Sequence, residues 1–291
     1  MSFGPVLFGD NQFIGVNHSS QAKATSHFER FRDTDRILEV LGWAHEAGIR
    51  DFVFTTHERY KPVFQEIVGS KMFPGLHFTP CLPYAHKYAQ QMAETSMVRA
   101  VLSNLGGVPK IRLAGSLVRA AAGDFSGLMQ LLVQIEVLMM KGLPIRGVFL
   151  LNIMFDLLLA LGATRLIEKY HRFVVEELAA TPGYFTMNHP AAVKALCVDI
   201  GLEQPWLCAN LNVAGFRTNP SLDAVRDSFA SGRTRNIAMS VFASGSAGTD
   251  EALTYVVRAA GVDCILFGSS RRENILRNTD AVLRERRLRT N

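Results

Sequence analysis

Short apolar runs alternate with helical stretches along most of the 291-residue chain. Each run ends in small or polar residues, and the segment that follows carries apolar residues at helical spacing, which is the repeating unit of a parallel α/β fold. The first predicted strand ends near Asn17 and His18. The next five strands are predicted at 49–55, 76–82, 147–152, 183–188 and 205–211, and the last two begin at 236 and 262.

Eight strands in strict alternation with helices predict a (β/α)8 TIM barrel that forms one α/β domain over residues 1–291. The Gly-Asp-Asn turn after Val6 predicts an N-terminal β-hairpin whose second arm continues as strand 1. The helical pattern from Ala85 to Lys141 predicts a long crossover between strands 3 and 4. No Gly-x-Gly-x-x-Gly motif follows strand 1, which argues against a Rossmann domain.

The composition is that of a globular protein, with 48% hydrophobic and 20% charged residues. The net charge of +5 owes much to four arginines in the last eight residues, which are typical of a solvated helix end, so no nucleic-acid partner is expected. Four widely spaced cysteines indicate a reducing compartment. Without a signal-peptide pattern or an apolar run long enough to span a bilayer, we expect a cytoplasmic protein with no membrane partner, which acts on a small molecule and could form homo-oligomers.

The loops after strands 7 and 8 consist of small residues. Each loop leads into a helix, so backbone N–H groups and the positive ends of two helices face the same space. This pattern predicts an anion or phosphate site. The residues that we assign to it are Ser244, Gly245, Gly268, Ser269 and Ser270.

Amides and imidazoles follow most of the other strands, where a barrel places its chemistry. The asparagines either bind a polar ligand or cap the helices that follow. No His-x-His or His-Glu-x-x-His spacing is present, so we predict no metal site. The candidate catalytic residues are His18, His57, Tyr60 and Asn152, and the candidate substrate-binding residues are Asn17, His86, Asn188 and Asn210.

The end of strand 8 resembles that of the aldo-keto reductases, a barrel family that binds NADP across strands 7 and 8. The segment Gly268-Ser-Ser-Arg-Arg-Glu-Asn-Ile-Leu-Arg-Asn278 keeps the glycine, Arg271 and Asn278 at the spacing of that family. The resemblance implies that Arg271 faces the 2′-phosphate of NADP, that the loop amides face its diphosphate, and that Asn278 belongs to the cofactor site.

The segment after strand 2 departs from the family pattern Asp-Thr-Ala-x-x-Tyr. It reads Thr55-Thr-His-Glu-Arg-Tyr60, so Tyr60 corresponds to the acid of the family while Thr55 replaces its aspartate. The expected lysine falls near Pro80 and the expected histidine at Asn152. Without the lysine that lowers its pKa, a phenol is a poor acid, whereas a histidine titrates near neutrality. We therefore favour His57 over Tyr60 as the proton donor and keep both as candidates.

The resulting prediction is an aldo-keto reductase-like enzyme that uses NADP to interconvert a small polar carbonyl and its alcohol. One alternative keeps the anion site but not the redox step: a lyase, dehydratase or isomerase acting on a phosphorylated or carboxylated substrate, with His57 and His18 as acid and base. Another is a barrel in which three of His18, His57, His86 and His189 ligate zinc or iron, or a barrel with no catalytic function. The fold alone does not choose among them.

Overall fold

Eight parallel strands form a closed barrel, with β1 to β8 in sequential order and β8 paired to β1. The structure is a computed structural model that describes residues 2–15, 29–82, 126–243 and 248–290. The strands are β1 Val6–Gly9, β2 Asp51–Thr55, β3 His77–Leu82, β4 Gly147–Leu150, β5 Thr181–Thr186, β6 Trp206–Asn210, β7 Arg235–Met239 and β8 Val262–Phe267.

In the described ranges, helices follow the strands and lie on the outside of the barrel. They are α1 Thr34–Glu46, α2 Tyr60–Gly69, α3 Ser126–Leu138, α4 Asn152–Ala160, α5 Thr164–Glu176, α6 His189–Val193, α7 Leu222–Ala230, α8 Thr249–Arg258 and α9 Arg272–Thr290. A π-helical turn, Lys194–Asp199, continues α6. None of the helices in these ranges combines the length and the apolar character that a bilayer crossing requires.

The first strand corrects the prediction from sequence. Val6–Gly9 pairs in parallel with both β2 and β8, so it is the first barrel strand and not the arm of a hairpin. The chain then turns, because the carbonyl oxygen of Asp10 accepts hydrogen bonds from the amides of Phe13 at 2.8 Å and Ile14 at 3.4 Å. The predicted hairpin and the predicted strand end near 17 and 18 are therefore wrong.

The other strand predictions are confirmed, and the predicted ends differ from those of the structure by about two residues or fewer. The helical pattern after β4 divides into α4 and α5 at Gly162, which has a positive φ of 62°. Of the predicted crossover between β3 and β4, the structure describes α3 and the turn after it; residues 83–125 lie outside the described residues.

Alternate residues of each strand fill the barrel interior, so the barrel is a packed core. The inward side chains form one buried cluster, which includes Leu7, Val53, Cys81, Phe149, Cys208, Ile237 and Cys264. Gly183 on β5 leaves the space that the ring of Phe149 occupies, since a β-carbon at position 183 would overlap that ring. Outward side chains such as Phe52 and Phe54 pack with Tyr60 and Phe64 of α2.

Candidate active site

A buried carboxylate lies at the ends of β1 and β2. Asp10 is the first residue after β1 and is 6% exposed. Its Oδ2 accepts three hydrogen bonds: from the amide of Thr55 at 2.9 Å, from Oγ1 of Thr55 at 3.0 Å and from the hydroxyl of Tyr60 at 3.1 Å. Burial raises the pKa of Asp10 to about 6, although these hydrogen bonds act in the opposite direction. The group therefore exchanges protons within the range in which enzymes work.

Tyr60, the acid that the resemblance implies, is fully buried at the start of α2. Its ring stacks on Phe64 with centroids 5.5 Å apart and packs edge-on against Phe54. Since Phe54 belongs to the outer face of β2, the ring of Tyr60 lies in the apolar layer between strand and helix. Its hydroxyl leaves that layer to donate to Asp10.

His57, the donor predicted from sequence, is half-buried in the turn between β2 and α2. Its amide donates to the carbonyl oxygen of Thr55 at 2.8 Å, and its Nδ1 accepts a hydrogen bond from the amide of Arg59 at 3.2 Å. The structure thus brings His57, Tyr60 and Asp10 to one region of the barrel rim. The role of His57 stays a prediction.

The loop after β8 touches the loop after β1. A β-carbon at Gly268 would overlap Oε1 of Gln12 and lie 3.0 Å from the carbonyl oxygen of Gly9. The Gln12 carboxamide is held there, because its Nε2 donates to that carbonyl oxygen at 2.8 Å. A side chain at position 268 would therefore have to displace the Gln12 carboxamide, and the predicted anion site is adjacent to the end of β1, where Asp10 lies.

Two neighbouring arginines at the start of α9 have different surroundings. The amide of Arg271 donates to Oγ of Ser269 at 3.3 Å, while its exposed guanidinium makes no hydrogen bond or ion pair with any residue of the described ranges. In contrast, Arg272 pairs with Glu46 of α1, with Nε 3.1 Å from Oε2. This arginine lowers the pKa of the Glu46 carboxyl.

Asn278 lies two turns further along α9 and is 5% exposed. Its Oδ1 is buried and has no hydrogen-bond partner in the described part of the chain. A buried amide oxygen without a partner is costly and marks a position that a ligand could satisfy. Ser244 and Gly245, the predicted contribution of the loop after β7, lie outside the described residues.

The asparagines at the other strand ends bind the backbone of the protein itself. Oδ1 of Asn188 accepts the amide of Ala191 at 3.2 Å and caps α6, whereas Nδ2 of Asn210 donates to the carbonyl oxygen of Arg217 at 3.0 Å. Asn152 is the first residue of α4. These contacts favour the capping alternative for Asn188, and substrate binding by Asn188 and Asn210 stays a prediction. Asn17, His18 and His86 lie outside the described residues.

His189, which would have been a metal ligand in the metal-dependent alternative, uses both ring nitrogens within the protein. Nδ1 lies 2.8 Å from Oγ of Ser228 and Nε2 lies 2.8 Å from Oδ1 of Asn236. Burial lowers the pKa of His189 to about 4, against the opposing effect of the Asn236 hydrogen bond. Across the residues that the structure describes, no three histidine, cysteine, aspartate or glutamate side chains are grouped to hold a metal ion.

Asp10 is the functional candidate that sequence reasoning missed. It directly follows an apolar run, which is the same strand-end pattern that selected Asn188 and His57. The Gly-Asp-Asn sequence that contains Asp10 is typical of a hairpin turn, and this hides the strand-end signal. With β1 placed at Val6–Gly9, the pattern would have selected it.

A cavity of about 430 Å³ lies at the opposite end of the barrel, beside Phe3, Trp206 and Arg235. This end carries the amino termini of the strands, where barrel residues contribute to stability and not to catalysis. The guanidinium of Arg235 is already bound there, because Nε lies 3.2 Å from Asp263 and the group covers the ring of Trp206 at 5.3 Å. We therefore place the candidate site at the rim formed by Asp10, His57 and the loop after β8.

No protein-family model and no curated protein matches the sequence. Solved structures do match its fold. A putative aldo-keto reductase from Pseudomonas aeruginosa is 12% identical and aligns over 98% of this chain and 91% of its own, with a TM-score of 0.63. The glycerol dehydrogenase of Gluconobacter oxydans is 8% identical over 99% and 90%, with a TM-score of 0.55.

An aldo-keto reductase from Klebsiella pneumoniae, solved in complex with NADPH, is 12% identical and aligns over 98% of this chain and 91% of its own, with a TM-score of 0.54. The chain thus has the fold of the aldo-keto reductases over nearly its whole length. At this level of identity the similarity concerns the fold, and the chemistry has to be argued from the site.

Proposed function

We propose that this protein is an NADP-dependent oxidoreductase that interconverts a small polar carbonyl compound and its alcohol, with the cofactor held by the loops after β7 and β8. The observation that carries the proposal is the contrast between Arg271 and Arg272 at the start of α9. Arg272 is neutralised by Glu46, while the exposed guanidinium of Arg271 has no anionic partner among the described residues. A 2′-phosphate is the kind of anion that such an arginine binds well.

The residues around Arg271 suit the remainder of the cofactor. Ser269 and Ser270 precede the amino terminus of α9, where backbone N–H groups and the helix dipole favour a diphosphate. The unpartnered Oδ1 of Asn278 can accept a hydrogen bond from a hydroxyl or amino group of the adenosine half. When bound, NADPH supplies the hydride for reduction of a carbonyl carbon; the protein binds and orients both reactants and handles the proton.

The test is a titration with NADPH and with NADH, followed by cofactor fluorescence. Arg271→Ala should weaken NADPH binding by about 1.5–3 kcal/mol, roughly ten- to a hundredfold, and should change NADH binding little. Arg272→Ala is the matched control. It removes the same charge from the next residue, but the guanidinium of Arg272 is already paired with Glu46. It should leave the preference for NADPH unchanged.

Two results would contradict the proposal. If Arg271→Ala weakened the binding of NADPH and of NADH equally, Arg271 would not be the residue that binds the 2′-phosphate. If the unmodified protein bound neither nucleotide, the redox function would be excluded and the non-redox alternative would be preferred.

A further inference from the structure

The hydrogen bonds of Asp10 are unevenly distributed between its two oxygens. The amide and hydroxyl of Thr55 and the hydroxyl of Tyr60 all donate to Oδ2. The backbone amide of Asp10 also hydrogen-bonds its own carboxyl group, and no donor from another of the described residues reaches Oδ1. The carboxyl group is thus held firmly by one oxygen while the other keeps its capacity to bind or protonate a ligand.

The charge of Asp10 also has no positively charged partner in the part of the chain that the structure describes. Asp51, a fully buried carboxylate at the other end of β2, has Nε of Arg146 at 2.6 Å from its Oδ1. Asp10 is nearly as buried and makes no ion pair within the described residues. Burial of an unpaired carboxylate is expensive, and proteins retain such groups mainly where they are used.

The position of Asp10 suits a reaction at the proposed cofactor site. It follows Gly9, whose carbonyl oxygen lies 3.0 Å from where a β-carbon of Gly268 would be. Gln12, two residues further on, packs against Gly268 itself. Asp10 therefore lies at the same corner of the rim as the loop after β8 to which the cofactor is assigned.

We propose that Asp10 exchanges the proton with the substrate oxygen, and that Thr55 and Tyr60 are the positioning residues that hold its carboxyl group. This assignment rests on the proposed function, since it supplies the proton of that reaction. It replaces the sequence-based choice of His57 or Tyr60 as donor.

The step balances as follows. Reduction of the carbonyl breaks the C=O π bond and forms one C–H and one O–H bond, which requires a hydride, supplied by NADPH, and a proton. The Asp10 carboxyl group gives its proton to the carbonyl oxygen and becomes a carboxylate, which regains a proton from solvent before the next turnover. In alcohol oxidation the same carboxylate accepts the hydroxyl proton.

Ionisation near pH 6 agrees with this role. Among the described residues, the Tyr60 hydroxyl is the titratable group that acts on the ionisation of Asp10, and its hydrogen bond lowers the pKa of Asp10. The Cys81 thiol of β3 is a second titratable group near Asp10. The pKa of Cys81 is itself raised, first by burial and then by the charge of Asp10. Loss of the Tyr60 hydroxyl should therefore move the pKa of Asp10 upward.

The first test measures NADPH-dependent reduction of para-nitrobenzaldehyde as a function of pH. Asp10→Asn keeps an acceptor oxygen for Thr55 but cannot ionise. Its kcat should fall by about a hundredfold or more, and the ionisation near pH 6 should disappear from its pH profile. Its affinity for NADPH should be unchanged. Tyr60→Phe should keep that ionisation and shift it to higher pH. Asp156→Asn is the matched control, because Asp156 is a carboxylate held by Oγ1 of Thr186 and the amide of Met187 at the end of β5. It should leave the profile unchanged.

The second test does not depend on turnover. In aspartate-labelled protein, the carboxyl-carbon NMR signal that Asp10→Asn removes should titrate near pH 6 and should shift when para-nitrobenzyl alcohol is added, whereas the signal of Asp156 should not shift. A normal rate and an intact ionisation in Asp10→Asn, with NADPH still bound, would overturn the role of Asp10 alone. Loss of the ionisation in His57→Gln instead would also overturn it, in favour of the histidine. Failure of the unmodified protein to bind NADPH would refute the proposed function and with it the reaction assigned to Asp10.

Discussion

Replacement of Asp10 by asparagine should raise the stability of the variant relative to the unmodified protein as the pH increases toward neutrality, while it removes activity. In the folded protein the pKa of Asp10 is raised from 3.8 to about 6, and burial is the main cause. The folded state therefore binds the proton more tightly than the unfolded chain does. This contribution to stability is fully present below about pH 3.8 and is lost as the pH rises through about 6.

The size of the effect follows from the shift. A difference of about two pKa units corresponds to about 3 kcal/mol, and about 2–3 kcal/mol of it is lost between about pH 4 and about pH 7.5. The carboxamide that replaces the carboxylate in Asp10→Asn has no charge to desolvate and does not incur this loss. Relative to the unmodified protein, Asp10→Asn should thus gain about 2–3 kcal/mol in the free energy of unfolding over that range.

The assay is urea unfolding of both proteins at several pH values, with the difference in free energy of unfolding as the quantity of interest. Asp156→Asn again serves as the control; burial raises the pKa of Asp156 as well, but this residue is only partly buried, so its pH-dependent gain should be smaller. A difference between Asp10→Asn and the unmodified protein that does not change with pH would refute the argument. It would mean that Asp10 ionises in the folded state as it does in the unfolded chain.

Four further predictions concern His189, Gly183, Asn188 and metal binding. The pKa of His189 is lowered to about 4 in the folded protein, so the stabilising contribution of this residue is present above about pH 6.5 and is lost on acidification. In urea unfolding, the stability advantage of the unmodified protein over His189→Gln should therefore shrink by about 2–3 kcal/mol between about pH 7.5 and about pH 4.5. Gly183→Ala should cost about 1–3 kcal/mol in the same assay, because its methyl group would overlap the ring of Phe149. Asn188→Ala should cost about 1 kcal/mol through loss of the cap on the amide of Ala191, with NADPH affinity unchanged in a fluorescence titration. Exhaustive chelation should leave both NADPH binding and activity unchanged, and a stoichiometric metal in the purified protein would contradict this.

The pH effects of Asp10 and His189 have opposite signs in the same range. As the pH rises from about 4 to about 6, the protein loses the contribution of Asp10 and gains that of His189. The unmodified protein can therefore show little net dependence of stability on pH there. Each contribution becomes visible when its own residue is replaced.

The strands of the barrel could be predicted because they are short apolar runs with clear ends. Strand β5, for example, is followed by Asn188 and a His-Pro pair that starts α6, and both signals are local. Strand β1 was misplaced because local signals conflict there. Its four residues precede a turn sequence that is typical of hairpins, and only the parallel pairing of Phe8 with Phe52 and Phe267 identifies it as a barrel strand.

The candidate site was less accessible to sequence reasoning, since its decisive contacts join distant positions. Arg271 and Arg272 are equivalent in the sequence, and what separates them is the pairing of Arg272 with Glu46, 226 positions away. Likewise, the sequence shows that Tyr60 has the family spacing but not that its hydroxyl is bound to Asp10, 50 positions earlier. Side-chain partners of this kind follow from the closed barrel and not from any local pattern.

Thr55 stands where the family pattern has an aspartate, and the carboxylate of Asp10 lies next to it in the barrel. The family resemblance expects a carboxylate at position 55, on β2, and the chain instead has a threonine whose amide and hydroxyl both bind the carboxylate of Asp10 at the end of β1. Because β1 and β2 are hydrogen-bonded neighbours, a carboxylate can move from the end of one strand to the end of the other and still reach Tyr60. A missing motif residue on one strand is therefore weak evidence against the chemistry when the adjacent strand ends in a side chain of the same kind. The experiments on Asp10 test whether its carboxyl group, at this position, exchanges the proton in the proposed reaction.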